Sequence, residues 1–123
     1  MAQPIGKTYW AIAEGYIPPD DTDRPPEFVS HETACLLNTS DQEAHVQITL
    51  YFSDREPVGP YHIVVAPRRT KHVRFNDLKD PAVPRGTEYA STIASDVPIV
   101  VQHSRLDSRR SDIALLSTIA YAG

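Results

Sequence analysis

Proline limits what this chain can build. Eleven of its 123 residues are proline; after Pro4 they fall as Pro18-Pro19, Pro25-Pro26, Pro57 with Pro60, Pro67, Pro81 with Pro84, and Pro98. Each interior proline deletes a backbone donor and clashes with the preceding turn, so no long helix survives that spacing. The stretches between them read as strands. In Ala44 to Phe52, Val46, Ile48, Leu50 and Phe52 alternate with His45, Gln47, Thr49 and Tyr51, the period of two expected of a half-buried strand. Further strands are predicted at Tyr9–Ala13, Phe28–Asn38, Tyr61–Ala66, Thr70–Phe75, Glu88–Ala94, Ile99–Arg105 and Leu115–Tyr121, with polar turns such as PPDDTDRPP, SDREPVGP and SDVP between them. Helix is confined to a turn around Asn76–Lys79 or Ser108–Ile113. About eight short antiparallel strands predict an all-β, jelly-roll-like β-sandwich. A chain of 123 residues is the size of one domain, here spanning 1–123.

Segment 28–38 is apolar on both parities, with Phe28, Ala34 and Leu36 on one face and Val29, Cys35 and Leu37 on the other. Leu116, Ile119, Ala120 and Tyr121 repeat the pattern near the C-terminus. Surplus apolar faces on a small β-domain need a cover, which predicts a homo-oligomer. Hydrophobic residues at 41% and charged residues at 23% are the balance of a soluble globular protein. A lone Cys35 closes no intramolecular disulfide, the N-terminus has no apolar leader, and no run approaches the roughly 20 residues of a membrane span. A cytoplasmic location is expected.

The formal charge of −4 argues against a general nucleic-acid binder, but its distribution is uneven. Residues 14–32 hold six acids and one base, whereas residues 67–75 hold Arg68, Arg69, Lys71 and Arg74 and no acid. With Val73 and Phe75 pointing inward, parity places Arg69 and Lys71 on their side and Arg68, Thr70, His72 and Arg74 on the other. Such a row suits a carboxylate, a phosphate or an acidic partner, and it equally suits bonding to the 14–32 segment. A DNA-associated regulator using strand 68–74 is the alternative it keeps open.

Five histidines are present, none with the spacing that sets two imidazoles on one metal from one element. A trans-strand site from His31, His72 and His103 would make a metal-dependent jelly-roll enzyme, a further alternative. No nucleophile elbow, Walker loop or GxGxxG occurs, so neither catalysis nor a cofactor is expected. In VPIVVQHSRLDSR an apolar strand passes abruptly into Gln102, His103, Ser104 and Arg105, delivering polar groups to the mouth of a sandwich, where ligand sites lie. Trp10 and Glu14 could add an aromatic platform and an acceptor, although Trp10 is equally a large core side chain.

The stretches WAIAEGYIPP, FVSHET, EPVGPY, RRTKHVRFNDL, VPIVVQHSRLDSR and ALLSTIAYA, in that order from Gly6 to Ala122, together resemble the Anabaena sensory rhodopsin transducer family. The resemblance implies a soluble jelly-roll sandwich assembled as a homotetramer. It also implies cytoplasmic signalling at the face of a membrane photoreceptor, and binding of a small, sugar-like polar ligand. The positions matching the family's polar motif residues are Trp10, Glu14, His31, Glu32, Arg69, His72, Gln102, His103 and Arg105.

Overall fold

The computed structural model describes residues 4–19, 25–109 and 114–123. Its strands are β1 (Lys7–Tyr16), β2 (His31–Asn38), β3 (Ala44–Tyr51), β4 (Val58–Val65), β5 (Arg69–Arg74), β6 (Glu88–Asp107), β7 (Ala114–Ile119) and β8 (Tyr121–Ala122), with single 3-10 turns at Pro26–Phe28 and Phe75–Asp77. Every pairing is antiparallel. One sheet runs β4-β3-β6-β1-β8, and the other is built from β5, β2, β6 and β7. The protein is an all-β sandwich, as the strand pattern predicts.

The 20-residue β6 belongs to both sheets. Its first part pairs with β1 and β3 up to Ile99, and from Val100 onward it pairs with β2 and then β7. The sequence predicts two strands here with a turn at SDVP, and the structure corrects this to one. Asp96, Val97 and Pro98 have no ladder partner, so the proline sits where its missing N–H interrupts nothing. Asp96 instead accepts from the His45 backbone N–H at 2.8 Å and meets its ring Nδ1 at 2.8 Å. That side-chain bond raises the exposed His45 above its usual pKa, and the backbone bond lowers Asp96.

Other boundaries also differ from expectation: β1 runs Lys7–Tyr16 rather than Tyr9–Ala13, and β4 begins at Val58, inside the expected SDREPVGP turn. The second strand starts at His31 rather than Phe28, because Pro25 and Pro26 set a 3-10 turn through Phe28. Phe28 and Val29 are therefore not part of its faces. The last strand is broken at Ala120, which is buried and donates its N–H to the Val101 carbonyl at 3.1 Å. β7 thus stays with the second sheet while β8 joins β1 in the first. The turn expected at Asn76–Lys79 is the 3-10 turn Phe75–Asp77. Residues 110–113 of the other expected turn, and residues 20–24 of the acidic segment, lie outside the described residues.

β3 shows why these sequences are strands. Ala44, Val46, Ile48 and Leu50 are buried, while His45, Gln47 and Tyr51 are exposed and Thr49 half-buried. They meet Trp10, Ile12, Ile93, Leu36, Ile99 and Val101 in a single hydrophobic cluster between the sheets, each large side chain worth roughly 1.5–3 kcal/mol of burial. Trp10 belongs to this core: its Nε1–H is shared between the carbonyls of Lys7 (3.0 Å) and Ile99 (3.1 Å). Among the described residues, the Ser91 hydroxyl is the one fully enclosed side-chain polar atom without a partner. Ser91 faces Ile12 and Leu50 across the sheet. Ser91→Ala is expected to stabilise the protein by about 1 kcal/mol, since an unmade buried hydrogen bond costs more than an apolar replacement. A higher urea midpoint is the expected reading, and a lower one would show that the hydroxyl has a partner.

Candidate functional site

The polar centre of the molecule starts from an irregularity in β1. Ile12 pairs with Ser91 and Gly15 with Tyr89, so three steps on β1 match two on β6 and one residue is extra. Such a bulge re-aims the side chains around it. Here it turns Glu14 toward Arg105 and brings the Tyr16 backbone N–H onto Glu32. Gly15 is required at the same place. A Cβ there would lie 2.6 Å from the Tyr89 ring, and that ring carries its hydroxyl to Glu32.

Glu32 is wholly buried on β2. Its carboxylate takes donors on both oxygens: the Tyr16 N–H at 2.6 Å, Arg105 Nε at 2.9 Å, His103 Nε2 at 2.8 Å and, more loosely, the Tyr89 hydroxyl at 3.5 Å. A carboxylate has about four acceptor positions, and all are in use. The Asn76 side chain fixes the strand entry, accepting from the Glu32 N–H at 3.3 Å and donating to the Ser30 carbonyl at 3.1 Å. Arg105 then bridges outward to Glu14. Burial works against its charge, but Glu14 and Glu32 more than offset this, so its pKa lies above the usual value. Burial, reinforced by the Glu32 charge, pushes the Tyr89 hydroxyl far above the ordinary tyrosine range.

This cluster borders a cleft of 260 Å³ between β1 and β7. Glu14 and His103 line one part of it, and Leu116, Ile119 and Tyr121 supply its apolar wall. Every residue of β7 is exposed, which leaves the cleft open to solvent.

Of the nine residues singled out by sequence, the structure brings together Glu14, Glu32, His103 and Arg105. The others lie apart for reasons of parity and position. Gln102 and His72 are the register partners of Cys35, which puts them on the outer face of the second sheet, while His103 pairs with Ala34 on the inner face. His31 is half-buried on that outer parity, its Nδ1 2.6 Å from the Val29 carbonyl. Arg69 pairs with Asn38, six residues along β2 from Glu32 and hence about 20 Å away. Trp10 is spent on the core.

The same parity excludes a metal held jointly by His31, His72 and His103, since His72 and His103 point to opposite faces. Among the described residues no three His, Cys, Asp or Glu side chains come together as metal ligands. The basic strand bonds within the chain: Arg68 to Asp41 at 2.7 Å, Arg69 to the Arg68 carbonyl at 3.0 Å, Lys71 to the Val64 carbonyl at 3.1 Å and Arg74 to the Pro26 carbonyl at 3.0 Å. Sequence reasoning missed Tyr89, Asn76 and the Tyr16 N–H, which reach Glu32 only through the bulge and the 3-10 turn.

No helix among the described residues is long and apolar enough to cross a membrane. The family model described as Anabaena sensory rhodopsin transducer matches residues 5–122. The chain is 60% identical to a solved structure named Anabaena sensory rhodopsin transducer, with a TM-score of 0.74, covering 82% of this chain and 99% of that one. A crystal structure of Thermotoga maritima 1070 is 34% identical, with a TM-score of 0.82 and 96% of each chain covered. No curated protein sequence matches significantly.

Proposed function

Because the chain belongs to the Anabaena sensory rhodopsin transducer family, we propose that it is a single-domain, non-enzymatic signalling module that meets the cytoplasmic face of a membrane receptor and binds a small polar ligand. The observation that carries this reading is the extent of the match, which spans residues 5–122 and so takes in the sandwich, the polar cluster and the cleft together. The cluster supports recognition over catalysis. Glu32, His103 and Arg105 spend their bonds on one another, which favours a rigid binding wall over groups that shuttle protons.

Self-assembly completes the proposal. The outer face of the second sheet exposes Leu37, Leu115 and Ile119, the last two at 71% and 60%. Apolar area of this kind marks an interaction surface, and β7 is an edge strand beside it. We assign that face to contacts between copies of the chain in a homotetramer.

Sedimentation with nanodiscs tests the reading. Discs carrying a microbial sensory rhodopsin are expected to retain the protein, while empty discs of the same lipid do not. The free protein should sediment as a tetramer, and Leu115→Arg with Ile119→Arg should reduce it to smaller species. Failure to bind the rhodopsin discs in both light and dark would overturn the receptor assignment. An unchanged mass in the double variant would overturn the assigned interface.

A further inference from the structure

We propose that the cleft between β1 and β7 binds a small organic ammonium ion, its head on Glu14 beside His103 and its apolar body against Leu116 and Tyr121. The inference rests on the ligand-binding part of the reading above and specifies the ligand's chemistry.

The first argument is the inventory of hydrogen-bonding atoms. An ionised carboxylate only accepts, so His103 Nε2 donates to Glu32. Among the described residues no protein group bonds its other ring nitrogen, Nδ1, which is not among the fully enclosed unpartnered atoms. It therefore keeps access to the cleft that His103 lines. Glu14 bonds Arg105 through Oε2 alone and leaves 68% of its side chain exposed. The cleft thus offers one unspent carboxylate oxygen, Glu14 Oε1, beside the His103 ring. Of its two hydroxyls, Thr118 Oγ1 is directed at the Ile119 carbonyl at 3.5 Å, and that of Tyr121 sits at the tip of a ring 73% exposed.

Charge gives the second argument. Glu14 brings a carboxylate to the cleft with one oxygen left unbonded by Arg105, and a monocation entering the cleft would pair with it. Arg105 itself does not line the cleft, and neither does any lysine or other arginine. An anion would find no cation to meet it there. The third argument is the wall. Leu116 and Tyr121 are 53% and 73% exposed, so an apolar body gains from covering them. A polyol, needing donors and acceptors all round, would leave hydroxyls unpaired against them.

The test is calorimetric titration of the full chain near neutral pH with phenethylammonium, using phenethyl alcohol, phenylpropionate and glucose as comparisons. Phenethylammonium is expected to bind at least about tenfold more tightly than the alcohol, a gap of about 1.4 kcal/mol, with no heat from phenylpropionate or glucose. Glu14→Gln should weaken the ammonium by at least about tenfold while thermal midpoint and oligomer mass stay as in the parent. Leu116→Trp, which fills the cleft while keeping its charged residues, should abolish binding. Equal affinity for the alcohol, or an unchanged affinity in Glu14→Gln, would overturn the proposal. So would binding of phenylpropionate or glucose at the cleft, which would leave a ligand site of different chemistry standing. No heat from any of the four would overturn both the ammonium assignment and the ligand-binding part of the proposed function.

Discussion

Glu32→Ala is expected to cost the fold about 3–5 kcal/mol, because removing one partner of a buried ionic network strands the others. Arg105 would keep only Glu14, which is exposed, and His103 would lose the acceptor for its Nε2. The Tyr16 N–H and the Tyr89 hydroxyl would lose theirs too. Domains of this size hold about 5–15 kcal/mol in total, so the variant should unfold at a much lower urea concentration or fail to accumulate. Glu32→Gln keeps an acceptor oxygen and should fall between the two. A loss below about 1 kcal/mol, the range of surface ion pairs, would mean that water reaches the cluster and replaces the lost bonds.

Phe75→Ala should cost a similar amount, about 3–5 kcal/mol, for a different reason. Phe75 is 1% exposed, and its ring lies 5.5 Å from that of Tyr89 at an interplanar angle of 56°. Truncation opens a cavity beside the ring that places a hydroxyl on Glu32. The core defect should therefore reach the polar cluster, and the effects of Phe75→Ala and Tyr89→Phe should not add. Phe75→Leu, which keeps most of the volume, should cost under about 1.5 kcal/mol. Urea unfolding of the two single variants and the double variant measures all of this. Additivity within about 0.5 kcal/mol would show that core and cluster are independent.

Much of the sandwich is legible because half-buried strands announce themselves by alternation. Val46, Ile48 and Leu50 are inward in the sequence pattern and inward in the structure. What failed was the meaning of Pro98. A proline reads as a turn when the segment is taken alone, but it is tolerated inside β6 because the strand changes partners there. At the site, Glu14, Glu32, His103 and Arg105 were picked out on chemistry, yet Gln102 was grouped with His103 although adjacent strand residues face opposite ways. The bulge at β1 could not be read, because it depends on which β6 residue each β1 residue meets. Tyr89 depends on that register as well, so nothing local distinguishes it from the other tyrosines.

A strand shared by two sheets also governs how the molecule comes apart. Most contacts of each sheet run through β6, which pairs with β1 and β3 on one side of Pro98 and with β2 and β7 on the other. Displacing either half of β6 pulls on the backbone that holds its other half in the opposite sheet. The sandwich is thus one cooperative unit rather than two layers that breathe separately, and a disturbance at the Arg105 end is felt along the same backbone that crosses the opposite sheet.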